Sequence, residues 1–479
     1  PLLDPQSAYT NHGIGFWQIN KNIDKLDITM GSFYDQFGTG ILFRAYEQRQ
    51  IGIDYAIQGM RLKYNLNDKW AIKGFAGNQK GNIKNRFGFA NQVISGLNIE
   101  GNLGLGADSK YGDLQVGASA VNRTLDRETM DRLVSTINTY ELADRFYPKF
   151  NVYGGNAYLT YTKDNFSWTV EGNVKSKEAI MEDDSKFHLT GGKVLYTSMS
   201  WGKGGWNLGK QTASIGLNVQ ARHVDHFSFR TAPTENLLNG LVSYLPSMTR
   251  QNTYRLLSRY NAPGQAMGED GIQGEIEFKP RKGTQIFFNG SYVQTLASNG
   301  KLNQATGLKE AEKLFSENYL EVVQKIGKHN KMKLGVQRIV YNQTRYESEP
   351  EYVPVKTITP FGEWLHTMNQ GKSLRVEWQY LNTKNDQGSF ANLMIEMFVK
   401  KNLSVAMADM VNVAPHRYER MIIANKVLHY PTFFVGYTEK NTVFTLAFLK
   451  QQQGVNCSGG ICREEPAFSG VRFTVSSNF

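Results

Sequence analysis

The sequence predicts an all-β chain: a single transmembrane antiparallel up-and-down β-barrel of about 22 strands, within roughly 20 to 24, with short turns at one end and long loops at the other. Three observations predict it. Segments of about ten residues alternate apolar and polar side chains. Short turns rich in Asn, Asp, Lys and Gly separate many of them. The final stretch, "AFSGVRFTVSSNF", alternates up to its last aromatic, Phe479.

The alternation is clearest in four segments. In "FSWTVEGNV", Phe166, Trp168, Val170 and Val174 share one face, and Ser167, Thr169, Glu171 and Asn173 the other. "GIQGEIEFK" sets Ile272, Ile276 and Phe278 against Gln273, Glu275, Glu277 and Lys279. "KSLRVEWQY" sets Leu374, Val376, Trp378 and Tyr380 against Arg375, Glu377 and Gln379. "FANLMIEMFVK" sets Ala391, Leu393, Ile395, Met397 and Val399 against Asn392 and Glu396. A soluble sandwich needs its inward faces apolar, and Glu, Lys and Arg in mid-strand fit a wet lumen better.

Turns are expected at Asn67-Asp68, Asp164-Asn165, Arg281-Lys282-Gly283, Lys328-His329-Asn330, Asn369-Gln370-Gly371, Lys400-Lys401-Asn402 and Glu439-Lys440-Asn441. The opposite strand ends carry longer connections, the asymmetry of outer-membrane barrels. About 21 strands can be counted from His12 onward, whereas single-chain bacterial barrels have an even number. A strand before Pro1 would complete the set, and "PLLDPQSAYT" carries no signal peptide.

Composition narrows the classes. No apolar run of about 18 residues exists, so no transmembrane helix is predicted. A mean hydropathy of -0.44 does not argue against a barrel, because only alternate strand residues face lipid. The formal charge of +11 suits nucleic acid, an anionic membrane surface or anionic solutes. Zinc-finger spacing, a Walker loop and a basic helix are all missing, so nucleic acid is not an expected partner. The two cysteines, Cys457 and Cys462 in "NCSGGIC", predict a local disulfide and an oxidising compartment; two free thiols in a loop are the alternative.

Two long inserts interrupt the strand pattern within the one barrel domain, residues 1–479. Residues 123–149 read as an amphipathic helix. Residues 223–269 carry the apolar piece "ENLLNGLVSYLP". A short helical pattern also runs from Leu308 to Phe315. These inserts fit a constriction folded into the lumen and an external cover equally well. "FYDQFGTGILFRAYEQRQ" breaks the alternation as well; Tyr34, Asp35, Arg44, Tyr46, Glu47 and Arg49 form a candidate polar mouth cluster, with Gly38 and Gly40 as bends. That cluster reads either as a solute contact or as a salt-bridge knot.

Extending the alternation gives lumen candidates. The principal ones are Arg61, Lys63, Glu100, Glu171, Lys175, Glu275, Glu277, Arg375, Glu377, Glu396 and Arg472, with Lys25, Asp27, Lys73, Asp113, Arg222, Lys279, Glu321, Lys325, Lys333 and Asp409 beside them. Basic and acidic members nearly cancel, which weakens an anion-selective reading. A balanced wall lines a water-filled channel or builds a network that fills it. "HVDHF" supplies His223, Asp225 and His226 without further metal ligands, so neither metal nor cofactor is expected. The histidines form no Ser-His arrangement, so enzymatic activity is not expected either; His366 and His429 are the best placed.

Three stretches carry a resemblance: Met30 to Tyr64, "YLPSMTRQNTYRLLSRY" (Tyr244 to Tyr260) and "CSGGICREEPAFSGVRF" (Cys457 to Phe473). They are similar to an uncharacterised family of large outer-membrane β-barrels of Bacteroidota-type bacteria, over the whole chain. The first stretch resembles alginate-export-like porins more loosely. The resemblance implies fold and location; the barrel reading itself places the C-terminus in the periplasm and the Cys457–Cys462 loop outside. Phe479 resembles the C-terminal aromatic signal read by the barrel-assembly machinery. Expected partners are outer-membrane lipid and lipopolysaccharide, that machinery, and other outer-membrane proteins or surface lipoproteins. A passive porin-like channel for polar solutes is the expected function. Its rival is a non-conducting barrel subunit of a larger complex for secretion, barrel assembly or nutrient uptake. An active TonB-dependent transporter fits less well, since no globular plug domain of about a hundred residues precedes the strands.

Overall fold

The computed structural model describes residues 13–48, 53–81, 87–104, 110–182, 184–235, 239–302, 307–347, 353–415, 427–452, 454–458, 461–465 and 467–477. Its principal element is one sheet of 21 strands, from Gln18–Ile23 to Phe468–Ser477. Each strand pairs antiparallel with the next sheet strand along the chain, for example Gln18–Ile23 with Leu26–Phe33 and Thr442–Gln451 with Phe468–Ser477. That number of strands is of the described residues alone. The further strand expected before Pro1 lies outside the described residues, as does Phe479. Among the described residues no pairing joins the first strand to the last.

All seven expected turns fall on the same edge of the sheet, because each closes every second connection. In four of these reversals a residue at positive φ turns the chain. They are Asp164 (φ 49°), Lys440 (φ 51°), Gly283 (φ 89°) and Gly371 (φ 74°). The opposite edge carries the long connections, including 34–56, 125–150, 226–267 and 295–312.

The two sheet faces are the reverse of those in a water-soluble sandwich. On the outer face Val174 is 63% exposed and Ile272 52%, while their neighbours Asn173 and Gln273 on the other face are 2% and 4% exposed. Trp168, Leu195, Trp378, Leu393, Ile395 and Met397 also stand on the outer face. Asn156, Glu171, Asn289, Glu317, Gln337, Glu377 and Gln379 are buried on the covered face.

Covering that face are the inserts. Residues 34–56 fold into two short ribbons, Asp35–Phe37 with Phe43–Ala45 and Glu47–Gln48 with Ile53–Asp54. The helix expected within 123–149 forms as Arg127–Ile137. Its amphipathic face, Met130, Leu133 and Ile137, packs on Ala179, Phe187 and Ala232. The pattern from Leu308 to Phe315 does not form a helix. Lys309–Glu310 pairs with Lys301–Leu302, and Lys313–Ile326 is a sheet strand. Phe315 lies opposite Val293 and Tyr341, so cross-strand aromatic packing outweighs the helix propensity of Leu-Lys-Glu-Ala.

Candidate functional site

The inserts 34–56 and 226–267 meet each other on the covered face. The Arg44 amide donates to the Val242 carbonyl (3.0 Å), and the Tyr244 amide to the Ile41 carbonyl (3.3 Å). The Arg44 guanidinium lies 4.6 Å from the Tyr46 ring and 4.2 Å from the Tyr244 ring. Around this meeting point one apolar cluster gathers Phe37, Ile41, Leu42 and Phe43 with Phe227, Phe229, Val242 and Leu256. Its wall members come from strands spread along nearly the whole sheet, from Phe33 and Phe75 through Val194 and Ile339 to Phe390, Met410 and Tyr430. Wall and inserts thus share one core across the covered face.

Charged groups fix the first insert. Asp35 takes Lys73 Nζ at 2.6 Å and an Arg61 nitrogen at 3.3 Å. Glu171 accepts the Thr39 amide (2.7 Å) and an Asn156 amide proton (2.9 Å). Tyr34 donates to Asp54 (3.1 Å), which also holds Lys80 at 2.6 Å. The expected mouth cluster is therefore dispersed: Asp35 serves the wall, Tyr34 serves Asp54, Arg44 stacks with tyrosines, and Glu47 sits in a ribbon. Arg49 lies outside the described residues.

The second insert is fixed the same way. Glu317 accepts the Arg250 amide (3.1 Å) and the Thr249 hydroxyl (3.2 Å). Gln379 accepts the Leu256 amide (2.7 Å), Gln337 donates to the Leu257 carbonyl (3.2 Å), and Tyr254 donates to Glu363 (3.1 Å). Burial, with Glu363 alongside, pushes the Tyr254 phenol far above its ordinary range, so it remains a donor. Arg222 pairs with Glu269, and Lys175 with Glu178 at 2.5 Å and Ser228 at 2.5 Å. Arg123 shares Glu178. In "ENLLNGLVSYLP", Val242 is fully buried in the shared core on the covered face; residues 236–238 lie outside the described residues.

Toward the short-turn edge the covered face carries the other lumen candidates, mostly paired. Arg375 holds Glu377 (2.5 Å), Glu396 (3.1 Å) and Glu363 (3.3 Å). Lys279 holds Glu277 at 2.5 Å and Lys333 holds Glu321 at 3.8 Å. Glu100 accepts from Tyr158 at 3.1 Å. Lys63 stands opposite Asp27 and Lys73, and Arg472 opposite the buried Ala447. His223 meets Asp270 at 2.8 Å and His429 meets Asp409 at 2.6 Å, both pairs partly exposed. Among the described residues no group of three His, Cys, Asp or Glu is placed to hold a metal. Cys457 and Cys462 stand directly opposite in the ribbon Gly454–Ser458 with Ile461–Glu465; their side chains lie outside what is described.

Beneath the second insert lies a cavity of about 530 Å³, lined by Asn218, Gln220, Tyr244, Arg250, Gln273, Glu275 and Phe287 among others. A belt of hydrogen bonds stiffens its wall: Tyr196 to Gln220 (3.0 Å), Gln220 to Gln273 (2.6 Å), Gln273 to Asn289 (2.7 Å) and Asn289 to Glu317 (3.0 Å). Glu275 is a residue the alternation picks out. Arg250 and Glu317 are not, because a loop arginine has no period and Glu317 lies just past the stretch read as helical, Leu308 to Phe315.

The whole chain, residues 1–479, matches the profile of DUF6029, a family of unknown function. The chain belongs to that family. Among curated proteins none matches it. In structure this DUF6029 chain is similar to the copper transporter OprC, at 10% identity over 94% of this chain and 75% of that one, with a TM-score of 0.41. It is also similar to the ferric citrate transporter FecA in its unliganded form (9% identity, 90% and 70% covered, TM-score 0.37). A third likeness is to BauA, the ferric preacinetobactin receptor from Acinetobacter baumannii (10%, 96% and 71%, TM-score 0.36). At these identities and TM-scores the likenesses assign no function to this chain.

Proposed function

We propose that this DUF6029 chain is an integral outer-membrane β-barrel whose lumen is occluded at rest by its own inserts, and that it acts as a non-conducting barrel within a larger outer-membrane assembly. The observation that carries the reading is the shared apolar core of the inserts 34–56 and 226–267, which reaches wall strands from Leu26–Phe33 to Leu428–Glu439. A sheet with apolar residues outward and polar residues covered is at home in hydrocarbon and unfavourable in water. Closure into a barrel is part of this reading, and the inserts support it by bonding to wall residues as far apart as Lys73 and Gln379. The short-turn edge is periplasmic and the long-loop edge external in this reading.

The passive porin expected from the sequence needs an unobstructed lumen, and the insert core is the observation against it. The balanced lumen charges support the filled alternative, because most are paired with each other or with an insert. Lipid and lipopolysaccharide contact the outer face, and the barrel-assembly machinery and other outer-membrane proteins or lipoproteins remain its proposed partners.

Membrane embedding is tested by folding the chain into vesicles of brominated phospholipid. Trp168, Trp201, Trp364 and Trp378 on the outer face should lose most of their fluorescence. Fluorescence unchanged from that in unbrominated vesicles would reject the reading.

A further inference from the structure

The cavity beneath the second insert is lined by two opposite charges, Arg250 and Glu275, that act on each other across it without forming an ion pair. Arg250 is held by rings rather than by acids: its guanidinium carbon lies 3.8 Å from the centre of the Phe287 ring and 4.4 Å from that of Tyr319. Its Nε is buried without a hydrogen-bond partner, and among the described residues the side chain enters no ion pair. Aromatic faces hold a guanidinium in place while leaving its in-plane donors free for a carboxylate. Glu275 lines the same cavity, and among the described residues its carboxylate makes neither a hydrogen bond nor an ion pair. Nearly every other acid on this part of the wall is occupied: Glu277 by Lys279, Glu321 by Lys333, and Glu317 by Arg250's own amide.

A guanidinium and a carboxylate facing one space without contact form a template for a ligand carrying both charges. The volume of about 530 Å³ falls in the range of roughly 300–1,000 Å³ usual for small-molecule sites. The wall between the charges is rich in amides: Asn218 and Gln220 on Gln211–Asp225, Gln273 on Gly268–Arg281, and Gln251 on the insert. The amide belt fixes Gln220 and Gln273 before any ligand arrives, which favours a site built in advance over one made on binding.

We propose that this cavity binds a zwitterionic amino acid or short peptide. The Arg250 guanidinium takes the α-carboxylate in a forked pair, Glu275 takes the α-ammonium, and the amide wall takes peptide groups between them. The proposal adds a ligand class to the occluded barrel and rests on its fold, but not on its being closed to ions.

The test is calorimetric titration of the full-length chain, folded in detergent, with three probes: trialanine, trialanine amide and N-acetyl-trialanine. Saturable binding of trialanine is expected, weakened at least tenfold by amidation and by acetylation. Arg250→Gln should weaken trialanine at least tenfold and bind the amide no worse than wild type does; Glu275→Gln should erase the penalty for acetylation. No saturable binding to protein verified as folded, or equal affinity for all three probes, would overturn the proposal. A barrel that is silent in bilayers yet binds no peptide would leave the occluded reading standing and reject this site alone. The comparison of probes on the wild type needs no variant, so a variant that fails to fold does not decide it.

Discussion

Gly38 sits at φ 55°, where an L side chain is strained, and a Cβ there would lie 2.6 Å from a Glu171 oxygen and 2.9 Å from the Tyr158 ring. Glu171 cannot withdraw without giving up the Thr39 amide. Gly38→Ala should therefore cost about 1–2 kcal/mol and lower the thermal unfolding midpoint, read by heat-dependent gel mobility. Gly154 makes room in the other direction, since a Cβ on that strand residue would meet Leu42 at 2.6 Å. Arg375 offers a second test. Replaced by Met, it leaves Glu363, Glu377 and Glu396 facing one another. Breaking a buried pair costs 3–5 kcal/mol, and partial exposure reduces this to about 1–3 kcal/mol. A lower urea midpoint is expected, partly restored by adding Glu377→Gln. Unchanged stability would remove this network from the account.

At the scale of elements, the helix Arg127–Ile137 depends on its first turn. Asp126 accepts the Thr129 amide at 3.2 Å and Gln92 Nε2 at 2.5 Å. Partial burial opposes its charge but is outweighed by hydrogen bonds from Thr129 and Gln92, so its carboxyl is held below the usual range. The sign is that of a depressed acid: the stabilisation is full above the ordinary Asp range and is lost as pH falls through the lowered value. Asp126→Ala should cost about 1 kcal/mol at neutral pH and increase proteolysis within 125–150, with the difference from wild type vanishing in acid. The ribbon Gly454–Ser458 with Ile461–Glu465 places the two cysteine backbones in direct register. Peptide mapping without reductant should find Cys457 and Cys462 linked; two alkylatable thiols in protein from an oxidising compartment would reject the link.

The strand faces were legible because a period of two survives in sequence wherever one face is apolar and outward and the other polar and covered, as in Phe166–Met181 and Gly388–Lys400. The short turns were legible because Asn, Asp, Lys and Gly cluster in them between alternating segments. The direction of the inserts was not. "ENLLNGLVSYLP" is apolar enough to plug or to dock, and only the tertiary contacts favour one over the other: Val242 in the shared apolar core and the Leu241 carbonyl accepting from Gln79. Arg250 was hidden for a related reason: its partners, Phe287 and Tyr319, lie on strands that look ordinary one at a time.

For the whole molecule the central claim is that the chain crosses a membrane and fills its own lumen. The measurement that tests it most directly is single-channel conductance of the purified full-length chain in a planar bilayer. A variant with residues 245–262 replaced by a short Gly-Ser linker is recorded beside it. That deletion removes Arg250, Tyr254 and Leu256 from the wall while leaving the strands intact. The account predicts a silent wild-type barrel and steady conductance from the variant. Steady conductance from the wild type at low voltage would contradict it and return the chain to the class of passive channels.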